Sequence, residues 1–517
     1  MTRFCRAFML VVLLSSASAA QTRGGQVNFR RLEQAAAALG AGELQRAESL
    51  LAAVLAASPR DADALNLLGV VRARQRRGAE AEGLFRRAIA AEPAHVGARV
   101  NLGELLLVAG RGSDALEVLL AAHALAPERA DVNLKLASLY AGRGEHERAL
   151  EHLRRVTPSS ADGQYFPLLL KSLLALKRHE DARRLAREFA DYPTADGRAR
   201  AEFAVMLARG GLVEESLGLL ENARARAPRS FDLLFALGFI SAATGRHEKA
   251  EGYLAEALNV KPDDVETLRA LASVARARGE FEKALAHLVR ARRVAPESPR
   301  VLYDFGVTTL QMGLLLDALP AFEQLHRAHP REPAYLYGLA AARLKKGERA
   351  EAVRLLKDYV VLRPQDAAGF YLLGAALHSL EQTAEARAAL EQSLKLRPDV
   401  DTEYLLGETL AVEGNRDAAV ELFRRVVRAR PEHAAAHAAL GTAYREQGDF
   451  AAAKAELERA VELDPEDLRA SYQLGLVYAR LGDREGARKM FARADELRGR
   501  ERRRESVILK LIDPPPP

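Results

Sequence analysis

Apolar residues recur along this chain at helical rather than strand-like spacing. Ala115, Leu116, Leu119 and Leu120 form one such cluster, with His123 on the same face, and this period predicts amphipathic helices. No stretch alternates apolar and polar residues as a half-buried strand would. The helical pattern itself is periodic. Leu68-Gly69, Leu102-Gly103, Leu136-Ala137, Leu237-Gly238, Leu271-Ala272, Phe305-Gly306, Leu339-Ala340, Leu373-Gly374, Leu406-Gly407, Leu440-Gly441 and Leu474-Gly475 keep one beat. Prolines keep it too, at 59, 93 and 127 and then at 228, 262, 296, 330, 364, 398, 431 and 465. Within these two series every step is 34 residues except one of 33.

Two further markers share the phase. Gly110, Gly144, Gly211, Gly245, Gly279, Gly313, Gly347, Gly414, Gly448 and Gly482 form one, and a small residue from Ala81 through Ser216 to Ala487 forms the other. Each marker predicts a mechanical part. The glycine ends a first helix in a left-handed residue. The Leu-Gly pair and the later alanine let two helices approach closely. The proline stops a second helix.

Aromatic, Leu-Gly, Tyr, glycine turn, Ala, Phe, Ala and Pro at fixed offsets resemble the tetratricopeptide repeat. Residues 434–467 carry Leu440-Gly441, Tyr444, Gly448, Ala453, Leu457, Ala460 and Pro465, and residues 468–501 add Gly475, Tyr478, Gly482, Ala487, Phe491 and Ala494. The resemblance implies an all-α, right-handed superhelical solenoid of about fourteen helix-turn-helix units over residues 28–501, with first helices lining a concave groove. The fifth and sixth units depart from the pattern. Thr157 to Gly163 replaces a helix end, Pro167 enters the next first helix, and Leu170, Lys177 and Tyr192-Pro193 stand at marker positions. A bend near 157–167 and one poorly matching repeat with ordinary stacking both account for this. Pro320 falls early in a second helix.

The termini read differently. Arg3 and Arg6, the apolar run Phe8 to Leu14 and the small residues Ala17 to Ala20 match a cleavable export signal over residues 1–20, with a short segment 21–27 after it. The run is too short to span a bilayer, which takes about 20 residues. Cys5, the single cysteine, lies inside it, so no lipid anchor and no disulfide are expected, and a periplasmic or secreted location is. At the other end, Arg498 to Arg504 precede an apolar stretch, 507–512, and four prolines. Residues 502–517 read as a cap on the last repeat, with a basic docking segment as the alternative.

Charge and motifs narrow the function. The net charge is +6; Arg3 and Arg6 account for two units and residues 498–512 for four, so the repeat body is neutral and lacks the clustered positive charge of a nucleic-acid surface. No phosphate loop, nucleophile elbow or dinucleotide fingerprint occurs. His433 with His437, and His326 with His329, lack a third ligand, so no metal, cofactor or catalytic residue is expected. The repeats leave no room for a catalytic domain. What the resemblance implies is a protein or peptide partner held in the groove, in cell-envelope assembly or export. A self-associating solenoid and an enzyme with an unrecognised groove site are the rival readings.

By resemblance, the fifth position of each unit faces the groove: Phe235, Arg269, Tyr303, Tyr337, Tyr371, Tyr404, Ala438 and Tyr472. Leu310, Leu344 and His378 are groove neighbours. Tyrosine suits such a surface because it couples a large apolar face to a polar tip. Asn66 and Asn101 occur without the lysine–asparagine set of carboxylate-binding relatives, and the sixth position reads Asn101, Lys135, Ala236, Ala270 and Asp304 rather than an asparagine ladder.

Overall fold

A computed structural model describes residues 23–158, 163–193 and 195–501. The expected signal at 1–20 and tail at 502–517 lie outside the described residues. Twenty-eight α-helices and no strand occur among the described residues, forming fourteen antiparallel pairs. No helix among them is long and apolar enough to cross a membrane. The chain divides into two compact units, one through Val260 and one from Lys261.

The first unit holds seven pairs. They begin with α1 (Arg23–Gly40) and α2 (Leu44–Ala57), α3 (Ala62–Arg74) and α4 (Gly78–Ala91), then α5 (Val96–Val108) and α6 (Gly112–Leu125). Next come α7 (Ala130–Gly142) and α8 (His146–Leu153), then α9 (Tyr165–Ala175) and α10 (His179–Ala190). The unit ends with α11 (Gly197–Arg209) and α12 (Val213–Arg226), α13 (Phe231–Ala243) and α14 (His247–Val260).

The second unit repeats the plan. Its pairs are α15 (Val265–Ala277) with α16 (Phe281–Val294), α17 (Pro299–Gln311) with α18 (Leu315–Ala328), and α19 (Pro333–Lys346) with α20 (Arg349–Leu362). There follow α21 (Ala367–His378) with α22 (Thr383–Leu396) and α23 (Val400–Val412) with α24 (Arg416–Ala429). The last are α25 (Ala434–Gln447) with α26 (Phe450–Leu463), and α27 (Leu468–Arg480) with α28 (Arg484–Glu501).

Each marker residue has a visible part in this plan. The glycine of the Leu-Gly pair leaves a gap that a second-helix side chain enters sixteen positions later. A Cβ at Gly441 would stand 2.6 Å from Leu457, and one at Gly475 would stand 2.7 Å from Phe491. Gly69 receives Phe85 in the same way, at 2.5 Å. Successive pairs interlock by a second knob. Tyr359 on α20 fills the space over Gly369 on α21, and its hydroxyl donates to the Asp366 carboxylate. First helices begin on side-chain caps, with Asp61, Asp196, Asp264, Asp366, Asp399 and Asp467 each accepting a backbone N–H of the first turn.

Within each unit first helices crowd together while second helices stand apart. In the second unit each first helix from α15 to α27 touches its first-helix neighbours, and in the first unit α1–α3, α3–α5, α7–α9, α9–α11 and α11–α13 do so. Among second helices only α10 and α12 make a comparable contact. Each unit is therefore a helical repeat solenoid with its first helices on the inner side. The departure after Leu153 is a second helix cut to eight residues, where most others have fourteen. Even so, α7 and α9 stay in contact, and the Tyr192 hydroxyl donates to the Pro158 carbonyl at 2.9 Å. Pro320 lies inside α18, which continues through it.

All ten glycines of the turn marker have positive φ, from 75° to 89°. Three turns on the same beat lack glycine. Arg76, Lys177 and Glu381 take φ of 62°, 55° and 59° there, a conformation that costs a residue with a Cβ about 1–2 kcal/mol. Replacing Lys177 or Glu381 by Gly is expected to stabilise its pair by about 0.5–1 kcal/mol once the entropy of the added glycine is set against the relieved strain. Urea unfolding midpoints followed by far-UV circular dichroism check this; a lower midpoint in both variants contradicts it.

Candidate functional site

The inner side of the first unit carries a polar ladder between successive first helices. Asp63 on α3 faces His95, with Oδ1 3.2 Å from Nε2. The Asn101 amide on α5 donates to the Asn66 side-chain oxygen on α3 at 2.8 Å. The Lys135 ammonium on α7 donates to the Glu104 carboxylate on α5 at 2.9 Å. Asp63, Asn66, His95, Asn101 and Glu104 are all buried. His95 is held in place because its Nδ1 accepts the Ala98 N–H and so caps α5.

This arrangement can read a polypeptide backbone. After the Asn66–Asn101 bond, Asn66 still has donors and Asn101 an acceptor, the pair that a peptide group requires. Gly97 makes room for the capping ring beside Asn66, for a Cβ there would stand 3.2 Å from His95. Sequence reasoning passed over the ladder because it compared one repeat position at a time. Asn66 is at the fifth position of its unit and Asn101 at the sixth of the next, and the two meet only when α3 and α5 are side by side.

Arg269 on α15 pairs with Asp304 on α17 at 2.7 Å in the second unit, but along α17 and α19 its inner side is mostly apolar, which corrects the expectation of one open tyrosine row. Tyr303 and Tyr337 are buried, Tyr337 to 1 % exposure, together with Leu310 and Leu344. Tyr303 packs against Phe322 and Tyr335 with ring centroids 6.1 and 5.8 Å away, and Tyr337 packs against Tyr359 at 5.3 Å. Small residues cause this. Gly306 on α17, with Gly338 and Ala340 to Ala342 on α19, lets the helices come so close that the fifth position is covered.

The other candidates lie in different surroundings. Tyr371 and Tyr404 are half-buried. Burial, then Asp401 and Asp399, pushes the Tyr371 phenol up to about 12. Burial and the nearby Glu408 carboxylate raise Tyr404 as well, and its ring lies 4.9 Å from that of His433. His378 is half-buried with Nδ1 3.0 Å from the Thr409 hydroxyl. Tyr472 is the open one, 41 % exposed, resting on Phe491 at 5.6 Å. Phe235 belongs to the first unit, in a stack with Phe231 and Phe239 along α13. His433 caps α25 through Nδ1, and His437 pairs with Glu456 at 2.6 Å.

This division has a measurable consequence. Tyr337→Ala removes a fully buried ring and is expected to cost about 3–5 kcal/mol. Tyr472→Ala is expected to cost roughly 1 kcal/mol or less, because much of that ring is already in water. Denaturant unfolding of the two variants separates these values, and equal losses contradict the division.

Comparisons with known proteins agree with this architecture. Tetratricopeptide repeat models match residues 32–96, 207–265, 303–367 and 404–453, residues 72–122 and 109–171, and residues 367–400 and 468–500. A TPR repeat model matches residues 441–482. Among solved structures, the APC/C hetero-tetramer Cut9-Hcn1 is similar at 15 % identity and a TM-score of 0.43, covering 89 % of this chain and 97 % of that one. MamA from Desulfovibrio magneticus RS-1 is similar at 30 % identity and a TM-score of 0.30, over 34 % of this chain and 98 % of its own. YrrB, described as a TPR protein with an unusual peptide-binding site, is similar at 22 % identity and a TM-score of 0.30, over 35 % and 93 %. No curated protein matches. With the repeat models recurring in the phase of the paired helices, the chain belongs to the tetratricopeptide repeat proteins.

Proposed function

We propose that this repeat protein is a non-catalytic scaffold that holds an extended polypeptide along the inner side of its first unit. The reading is carried by the ladder of Asp63, Asn66, Asn101, Glu104 and Lys135, where buried polar groups pair across successive first helices. A buried amide pair with spare donors and an acceptor suits a strand of backbone, because a peptide group brings one of each. The neighbouring Glu104–Lys135 pair supplies a charged step for a side chain. Backbone recognition of this kind is tolerant of sequence, which fits a scaffold better than an enzyme.

The proposal extends to where the protein works. Residues 1–20 carry the charged, apolar and small-residue order of an export signal, so the scaffold is placed in the cell envelope, in assembly or export. A fusion of residues 1–22 to alkaline phosphatase tests this, since that enzyme is active only after export.

A random-peptide library panned against the full chain tests the binding reading. The enriched peptides are expected to lose at least tenfold in affinity for an Asn66→Ala, Asn101→Ala double variant, the equivalent of about 1.4 kcal/mol. Fluorescence anisotropy reads the affinity, and unchanged far-UV circular dichroism establishes that the variant is folded. Equal affinity for both proteins would place the contact elsewhere.

A further inference from the structure

The second helices of the first unit carry a pair of histidines, His152 buried and His123 half-buried, that the binding reading does not use. His123 on α6 and His152 on α8 meet edge to face, with ring centroids 4.9 Å apart. His152 is 8 % exposed and stacks on Tyr140 of α7 at 5.6 Å. Arg148 lies over the other side of the contact, 5.6 Å from the Tyr140 ring.

Hydrogen bonds orient both rings. The Asn133 amide nitrogen donates to the carbonyls of Pro127 and Arg129 at 2.7 and 3.0 Å. Its oxygen is therefore the only group left to face His152, and Nδ1 of that ring stands 2.9 Å from it. His152 thus has a proton on Nδ1, and burial, which lowers the ring to about 4, leaves Nε2 a lone pair at neutral pH. The Arg155 guanidinium lies 2.9 Å from Nε2 of His123 and has only donors to offer. Nε2 of His123 accepts, so that ring too is neutral.

We infer that His123 and His152 form an acid-labile clasp, which fastens the end of α8 to α6 and α7 at neutral pH and weakens as pH falls below about 6. A proton on Nε2 of His123 destroys the bond from Arg155. A proton on His152 sets a second positive charge against His123 and Arg155 in a buried site. The charges around the pair have been disposed against protonation. Burial, then His123 and Arg155, lowers His152 to about 4, with Glu151 on its own helix opposing. Burial, then Arg155, lowers His123, with Glu128 after α6 opposing. From α7 the facing groups are Tyr140 and the neutral Asn133, and no charged group of α9 acts on either ring among the described residues.

The sign follows from linkage. A histidine near 6.5 when released and near 4 when fastened binds more protons in the released state between those values. The fastened state is therefore fully favoured above pH 6.5 and loses ground as pH falls from 6.5 towards 4. The clasp is at a weak place, because α8 has only eight residues and ends at Leu153, next to the histidine. Its release loosens the joint between the fourth and fifth pairs.

Hydrogen exchange by mass spectrometry on the full chain, corrected for the intrinsic pH dependence of exchange, tests the clasp. Between pH 7.5 and 5 the opening equilibrium of α8 is expected to rise roughly 10- to 30-fold, the range set by the two histidine values. Helix α4 is expected to stay constant. His152→Gln should flatten the response, and His123→Gln, which keeps an acceptor for Arg155, should weaken it. An α8 that tracks α4, or a His152→Gln variant with the original pH response, would overturn the inference. If His152→Gln is already loose at pH 7.5, histidine ring NMR of the unaltered protein decides. A His152 ring still neutral at pH 5 supports the clasp, and one protonated near pH 6.5 overturns it.

Discussion

A side chain of the second helix seated in a gap on the first is the contact from which the rest of the structure follows. Phe85 over Gly69, Leu457 over Gly441 and Phe491 over Gly475 are the same event in different pairs. A gap of that size exists only where a Cβ is missing or small, so glycine or alanine stands there in every pair that keeps the marker. The seated side chain draws two helices together over their whole length. That closeness leaves the linking turn only two to four residues, which a left-handed residue must complete. Once pairs are built, small residues on neighbouring first helices bring these to the inner side, and a surface for partners results.

First helices use this closeness in two ways, polar and apolar. In the first unit, Asn66 with Asn101 and Glu104 with Lys135 place polar groups between first helices, where each must find a partner because water is largely excluded. In the second unit, Arg269 with Asp304 repeats the polar contact, while Tyr303, Tyr337, Leu310 and Leu344 close the space along α17 and α19. A polar seam costs little more to open towards a ligand than to keep shut, since its groups can exchange one hydrogen bond for another. An apolar seam has no such exchange.

Much of the fold was legible because the markers act locally. Leu-Gly, the turn glycine and the proline each answer to a constraint within about 34 residues of chain, so periodicity alone was enough to locate fourteen pairs. Lys177 was harder to read, yet the structure gives it the left-handed turn its position demands. The site was less legible. Tyr337 and Tyr472 occupy equivalent positions, but one is covered by α20 and a close neighbour while the other belongs to the last first helix. Which of the two obtains depends on the size of residues in adjoining pairs, a relation that no single repeat contains. Asn66 with Asn101, and His123 with His152, fall at unlike positions of their units, and only the packed helices bring them together.

Tyr359 and Gly369 show that the pairs, alike as they are, cannot be interchanged. The equivalent positions elsewhere hold Ala122 and Val132, Leu325 and Tyr335, and Ala460 and Ala470, so the joint is filled differently from pair to pair. Excising α21 and α22 would bring Tyr359 against Thr402, where no vacancy awaits it. The array therefore has a grammar of order as well as a count. Lengthening it by copying one pair would require the copy's two ends to suit each other, a condition that Tyr359 and Tyr335 at the two ends of one pair do not meet.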